Sequence, residues 1–254
     1  EYALGDANNI DLNFSAGTTL RLGRNTVQGN TCQPDTTING DGVTINNVEG
    51  DGCGTCNIAE ALKRSLNTSY YRLMLKLRNG PADVADAAHR AGIAESFAGV
   101  DHTLSEDGQG GPPNNGVVLG QYQTRVLDMA SAYATLAASG VYHAPHFVQK
   151  VVNAAGEVLF DAGTQDNSGE QRIPKAVADN VTAAMQPIAG WSNGHNLAGG
   201  RASAAKTGTN QLGDTGAHRD AWVVGYPPSL PPPTTMSGAK PSRWQHSSAA
   251  RVSI

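Results

Sequence analysis

The chain is poor in charge. Asp, Glu, Lys and Arg make up 16% of its 254 residues, and the net charge is −4. No basic excess exists to attract a nucleic acid, so that partner class is not expected. No run of apolar residues approaches a membrane span. Cysteine is scarce too: Cys32, Cys53 and Cys56 are an odd, low count that fits no disulfide scaffold. The seven histidines have no metal-ligand spacing. Ala205 stands in "AAKT" where a phosphate-binding loop needs glycine. Neither a histidine metal site nor a phosphate-binding loop is read from these residues. Lysine is absent before Lys63, and that gap matters below.

The length allows one large domain or two small ones, with a sizeable core. Residues 1–52 are mostly turn chemistry, rich in Gly, Asn, Asp and Thr, with one short strand candidate at "VTINNV". "CGTC" at 53–56 precedes a predicted helix but lacks the βαβ pattern of a redox dithiol. A local disulfide or two idle thiols fits better. Asn57 followed by Glu60 is a capping-box-like helix start. The pattern predicts helices over "IAEALKRSL" and "SYYRLMLKL", interrupted by Asn67 and Thr68, and over "PADVADAAHRAG" between Pro81 and Gly92. A loop is expected from Ser105 to Gly116. Next comes a long amphipathic helix from Thr124 to Ser139, with Val126, Met129, Ala130, Tyr133 and Ala137 on its apolar stripe. A hairpin around Asn153 to Gly156 and a helix between Pro174 and Pro187 follow. "ASAAKTGTNQ" and "DAWVVGY" read as adjacent antiparallel strands, with His218 in the loop between them. Residues 227–254 hold six of the 13 prolines and have no apolar period, which predicts a linker or unstructured tail.

Two short motifs carry possible chemistry. "SLNT", Ser65 to Thr68, lies at a break between helices, where two polar residues ordinarily cap the second one. "KTGT", Lys206 to Thr209, lies on a predicted strand. Each is weak alone; the pair, in this order and these contexts, is much stronger. Acyl transfer by a serine needs a nucleophile, a base, a proton shuttle and an oxyanion hole. The Ser65 hydroxyl beside the Lys206 ammonium can pass a proton to a leaving amine. Asn67 can hold a peptide amide. Gly208 leaves room for a substrate strand along the lysine-bearing one. Thr207 and Thr209 suit a terminal carboxylate, and the Thr209 N–H suits an oxyanion.

These motifs, with "NNVEGDGCGTCNIAEALKRSLNTSYYRLMLKL", "GPPNNGVVLGQYQTRVLDMASAYATLAASG" and "AAKTGTNQLGDTGAHRDAWVVGY", resemble the transpeptidase domain of class A penicillin-binding proteins of the actinobacterial, mycobacterial type. The resemblance covers about Val43 to Tyr226. It implies an α+β, penicillin-binding/β-lactamase-like fold: an antiparallel sheet flanked by helices, plus a helical subdomain carrying S-x-N. It implies D-Ala-D-Ala stem peptides and β-lactams as partners, and neither metal nor cofactor. It also implies a place at the extracytoplasmic face of the membrane or in the cell wall, with envelope-synthesis partners and an upstream anchor and glycosyltransferase domain. The family mechanism has a serine of S-x-x-K attack the peptide, release D-alanine and pass the acyl group to an amine. Leu66 stands where class A β-lactamases have aspartate in S-D-N, which favours transpeptidation over fast deacylation.

The sequence departs from that pattern at both ends. The family places S-x-x-K ahead of S-x-N on a long buried helix, and no lysine precedes Lys63. The Gly-, Asn- and Thr-rich "GTTLRLGRNTVQGNTCQPDTTING" cannot make such a helix. S-x-x-K occurs at Ser203/Lys206 and at Ser237/Lys240. The first pair would lie on a strand, where residues three apart face opposite ways. The second lies in the proline-rich tail. Neither reads as a nucleophile. The expected organisation is an altered segment over 1–42, a transpeptidase-like domain over 43–226 and a divergent tail over 227–254. The expected function is a D,D-transpeptidase domain without its nucleophile. The alternative is a non-catalytic module that binds peptidoglycan peptides through Asn67, Lys206 and Thr209.

Overall fold

Helix α1, Ile58–Lys63, begins where its cap chemistry places it: the Asn57 side-chain oxygen accepts the Glu60 N–H at 2.8 Å. Helix α2 spans Asn67–Met74, so Asn67 and Thr68 open this helix. The expected interruption falls one to three residues earlier, at Arg64 to Leu66. Helix α3 covers Pro81–Ala91 and ends at Gly92, whose φ of 132° only glycine adopts readily. Helix α4 runs Val126–Ala137, α5 Lys175–Met185 and the short α6 Ile188–Trp191. The strands are β1 Thr36–Thr37, β2 Thr44–Ile45, β3 Val141–Tyr142, β4 Lys150–Val152, β5 Val158–Asp161, β6 Glu170–Gln171, β7 Ala204–Gln211, β8 His218–Tyr226 and β9 Ala249–Ser253. The computed structural model describes residues 36–37, 44–45, 47, 51–53, 56–164, 169–192, 194, 196–211, 218–228 and 249–253. Expectations placed on residues 1–35, Cys32 included, lie outside the described residues.

The main sheet has the order β7-β8-β9. β7 and β8 are antiparallel, with Lys206 opposite Val224 and Gly208 opposite Trp222. His218 is the first residue of β8, not part of a connecting loop. β9 lies parallel to β8 on its other side. The tail was expected to be unstructured throughout, but its stretch Ala249–Ser253 has no proline and no glycine. It pairs with the edge of β8 that would otherwise be open. β4 and β5 form the expected hairpin as a separate two-stranded sheet with apolar side chains exposed, Val152 at 53% and Leu159 at 63%.

Among the described residues, two clusters make the core. One joins Ala85, Ile93, Leu104, Val117 and Ala132. The other joins Met185, Ile188, Ala204 and Tyr226, with Leu62, Tyr133, Leu136, Ala137 and Val181 packed on it. α4 serves both, but not through the whole stripe that its apolar residues predict. Val126 is 43% exposed, whereas Asp128, Ser131, Ala132 and Thr135 are buried. Small and hydroxyl side chains win there because α3 ends against α4: a Cβ on Gly92 would lie 2.8 Å from Ser131 Oγ. Asp128 is buried with its charge paired, since Arg125 reaches its two carboxylate oxygens at 2.9 and 2.7 Å. Among the described residues, no helix is long and apolar enough to cross a membrane.

Candidate functional site

The second core cluster places the two motifs beside each other. Leu62 of α1 packs against the cluster that contains Ala204 of β7. Three residues beyond Leu62 is Ser65, and two beyond Ala204 is Lys206. The Lys206 ammonium donates to Ser65 Oγ at 2.7 Å across 141 residues of sequence. It also donates to the Thr207 carbonyl at 2.7 Å.

Ser65 is held by a distinctive turn. Its N–H bonds the Leu62 carbonyl and the Leu66 N–H bonds the Ala61 carbonyl, both at 3.0 Å. That pair of bonds is a Schellman motif, in which the residue after the C-cap takes the left-handed conformation. Ser65 has φ 56°. Glycine is the usual occupant; a serine here costs about 1–2 kcal/mol of backbone strain. Leu66, 2% exposed, pins the turn to the core, and Ser65 stands exposed above it. Asn67 follows as the first residue of α2, half-buried. The sequence marks this spot as a break between helices but does not reveal its handedness, because the cap residue is not Gly.

Lys206 is the third residue of β7, an edge strand. Burial pushes its ammonium below the usual value of 10.5. Among the described residues its partners are a hydroxyl and a carbonyl, and burial is the cause of that shift. Ser192, just past α6, brings its hydroxyl to 3.5 Å from Thr207 Oγ1. No sequence signal marks Ser192 for that contact. Gly208 and Thr209 are exposed further along β7. A Cβ on Gly208 would meet only Trp222 Cβ at 3.9 Å, and its φ is not in the left-handed region. Ser203 is buried just before β7, and the Lys206 ammonium is committed to Ser65 and Thr207 instead. Cys53 and Cys56 are joined as a disulfide, which settles the choice between a bonded pair and two thiols. Among the described residues, no cluster of three His, Cys, Asp or Glu could hold a metal.

Known proteins share this arrangement of elements. The family model described as "Penicillin binding protein transpeptidase domain" matches residues 20–245. Penicillin-binding protein 1A of Mycolicibacterium smegmatis is 78% identical over 208 residues, covering 80% of this chain and 26% of that protein. Penicillin-binding protein 1A of Mycobacterium tuberculosis is 81% identical over 190 residues, covering 75% of this chain and 23% of that protein. The solved structure of PonA1 from M. tuberculosis superposes with a TM-score of 0.75 at 77% identity, covering 78% of this chain and 51% of that one. The same protein has been solved in complex with penicillin V, with a TM-score of 0.73 at 77% identity over 77% of this chain and 50% of that one. The chain thus spans about a quarter of the length of these curated relatives. It belongs to the penicillin-binding protein transpeptidase domain family.

Proposed function

We propose that the chain carries the substrate-binding and proton-relay parts of a peptidoglycan D,D-transpeptidase site, without the serine that would be acylated. The observation that carries this is the Lys206–Ser65 hydrogen bond at 2.7 Å, made by a serine in a conformation that disfavours serine. A residue that costs backbone energy and is exposed contributes chemistry, not packing. In the relay, the Ser65 hydroxyl gives its proton to a leaving amine and takes one from the Lys206 ammonium. Asn67 holds the peptide amide. Thr207 and Thr209 receive the terminal carboxylate, which the Lys206 charge attracts, and the Thr209 N–H faces the developing oxyanion.

β7, which pairs on one side only among the described residues, offers its other edge to an extended stem peptide through main-chain bonds. Gly208 supports this. Neither backbone conformation nor packing among the described residues requires glycine there, so the open space is available to an incoming strand. β-Lactams are the second ligand class, as in the PonA1 complex with penicillin V. In the 254 residues no S-x-x-K precedes Ser65. Within these 254 residues the reading therefore assigns no nucleophile for attack on the peptide carbonyl and release of D-alanine. The reading places the chain at the extracytoplasmic cell envelope, with residues 43–226 as the transpeptidase-like unit inside the 20–245 that the family model matches.

A second reading, a non-catalytic module for peptidoglycan peptides, is favoured by the part-buried Lys206, which among the described residues has no ion-pair partner and suits a carboxylate ligand held without turnover. Titration with a D-Ala-D-Ala stem peptide tests the shared claim of both readings. Reversible binding is expected, and it should vanish in Lys206→Ala. Gly208→Ala should bind at least tenfold more weakly, about 1.4 kcal/mol, while remaining as stable as the parent. Equal binding by all three proteins would refute this assignment of the site.

A further inference from the structure

Helix α2 starts without a cap of its own. Leu66 occupies the N-cap position and makes no side-chain cap bond. The first N–H groups of the helix then need acceptors from elsewhere. Asn47, 21 residues upstream of Thr68, supplies one. Its side-chain oxygen accepts from the Thr68 N–H at 3.0 Å and from the Thr68 hydroxyl at 3.2 Å. Thr68 is 3% exposed, so both groups would lose their water without finding a replacement if Asn47 were absent. Asn47 is itself held, its Nδ2 donating to the Asp51 carbonyl at 2.8 Å.

The same stretch of chain grips the end of α1. Arg64 Nη1 donates to the Gly52 carbonyl at 3.1 Å and lies 3.8 Å from the Asp51 carboxylate. Asn47, Asp51 and Gly52 therefore hold Arg64 on one side of Ser65 and Thr68 on the other. Ser65 lies between them, exposed and in a left-handed conformation that relaxes unless its surroundings fix it. We propose that Asn47 is a positioning residue of the Ser65–Lys206 site: by capping α2 from a distance, it fixes the turn that presents Ser65 and Asn67. The proposal rests on the reading of that site given above.

The test uses the whole chain with 13C-labelled lysine. The titration of Lys206 is followed by NMR, its signal assigned by loss in Lys206→Arg, and penicillin V is the binding probe. Asn47→Ala is expected to move the titration upward toward the ordinary value as water enters a loosened site. It should also weaken penicillin V binding about fivefold, the equivalent of one lost helix cap. Asn47→Asp keeps an acceptor for Thr68 and gives up the Asp51 bond; its new charge raises the Lys206 titration slightly, so the shift should be clearly smaller than in Asn47→Ala. If Asn47→Ala does not fold, Thr68→Val, which removes only the hydroxyl bond, should shift Lys206 the same way by less. A Lys206 titration unmoved in Asn47→Ala, or in Thr68→Val, overturns the proposal, because a merely structural bond lowers thermal stability and leaves that titration alone. A shift as large in Asn47→Asp as in Asn47→Ala overturns it as well. A shifted titration in a protein that never binds penicillin V keeps the positioning role and refutes the functional reading.

Discussion

Ser65 sits where a glycine would be less strained. The Schellman bonds from Ser65 and Leu66 to the end of α1 require the left-handed conformation, and the side chain adds nothing to the core. The strain can be isolated by comparing Ser65→Ala with Ser65→Gly, since both lose the hydroxyl. The Gly variant is expected to exceed the Ala variant by about 1 kcal/mol in urea unfolding. Equal stabilities would remove the strain argument. Lys206 gives a second prediction. Its folded-state value lies below the 10.5 of an exposed lysine because burial disfavours the charge. Between the two values the unfolded chain binds more protons than the folded one, so stability rises with pH. Below the folded value the buried charge is a constant cost. Relative to Lys206→Met, the wild type should therefore gain unfolding free energy as pH climbs through that window toward 10.5. A flat difference would mean that Lys206 is not desolvated.

The elements divide by how local their causes are. α1, α3 and α5 were legible because their signals lie in the chain itself: Asn57 with Glu60, Pro81 with Gly92, and Pro174 with Pro187. The Asn57 cap makes this quantitative: Asn57→Ala should cost about 1 kcal/mol in thermal or urea unfolding, and no loss would mean that the bond to Glu60 contributes nothing. β7 and β8 were legible from their runs of small and apolar residues, and the structure pairs them in antiparallel register. The apolar stripe of α4 predicts the packing of Met129, Tyr133 and Ala137, but not the exposure of Val126 or the burial of Asp128 and Ser131. Asp128 is buried by its ion pair and Ser131 by the close approach of Gly92. β9 was missed because the prolines before it hid a five-residue segment able to pair with β8. The cap on α2 was illegible for a different reason: its acceptor, Asn47, is distant in sequence and belongs to no element.

The candidate site belongs to the whole molecule, because no single element contains it. Ser65 ends the turn after α1, and Lys206 lies on β7. Leu62, Ala204, Met185, Ile188 and Tyr226 bring the two together through one shared cluster. Both motifs could be read from the sequence, and so could their pairing by chemistry. The 2.7 Å contact, the handedness of Ser65 and the support from Asn47 depend on tertiary packing. The central claim is that this frame binds the ligands of a D,D-transpeptidase and is not acylated by them. Incubation with a fluorescent penicillin, followed by denaturing electrophoresis and intact mass measurement, tests it most directly. The account predicts reversible binding under native conditions and no covalent adduct after denaturation. A stoichiometric penicilloyl adduct, mapped by mass spectrometry to any serine of the chain, would contradict it.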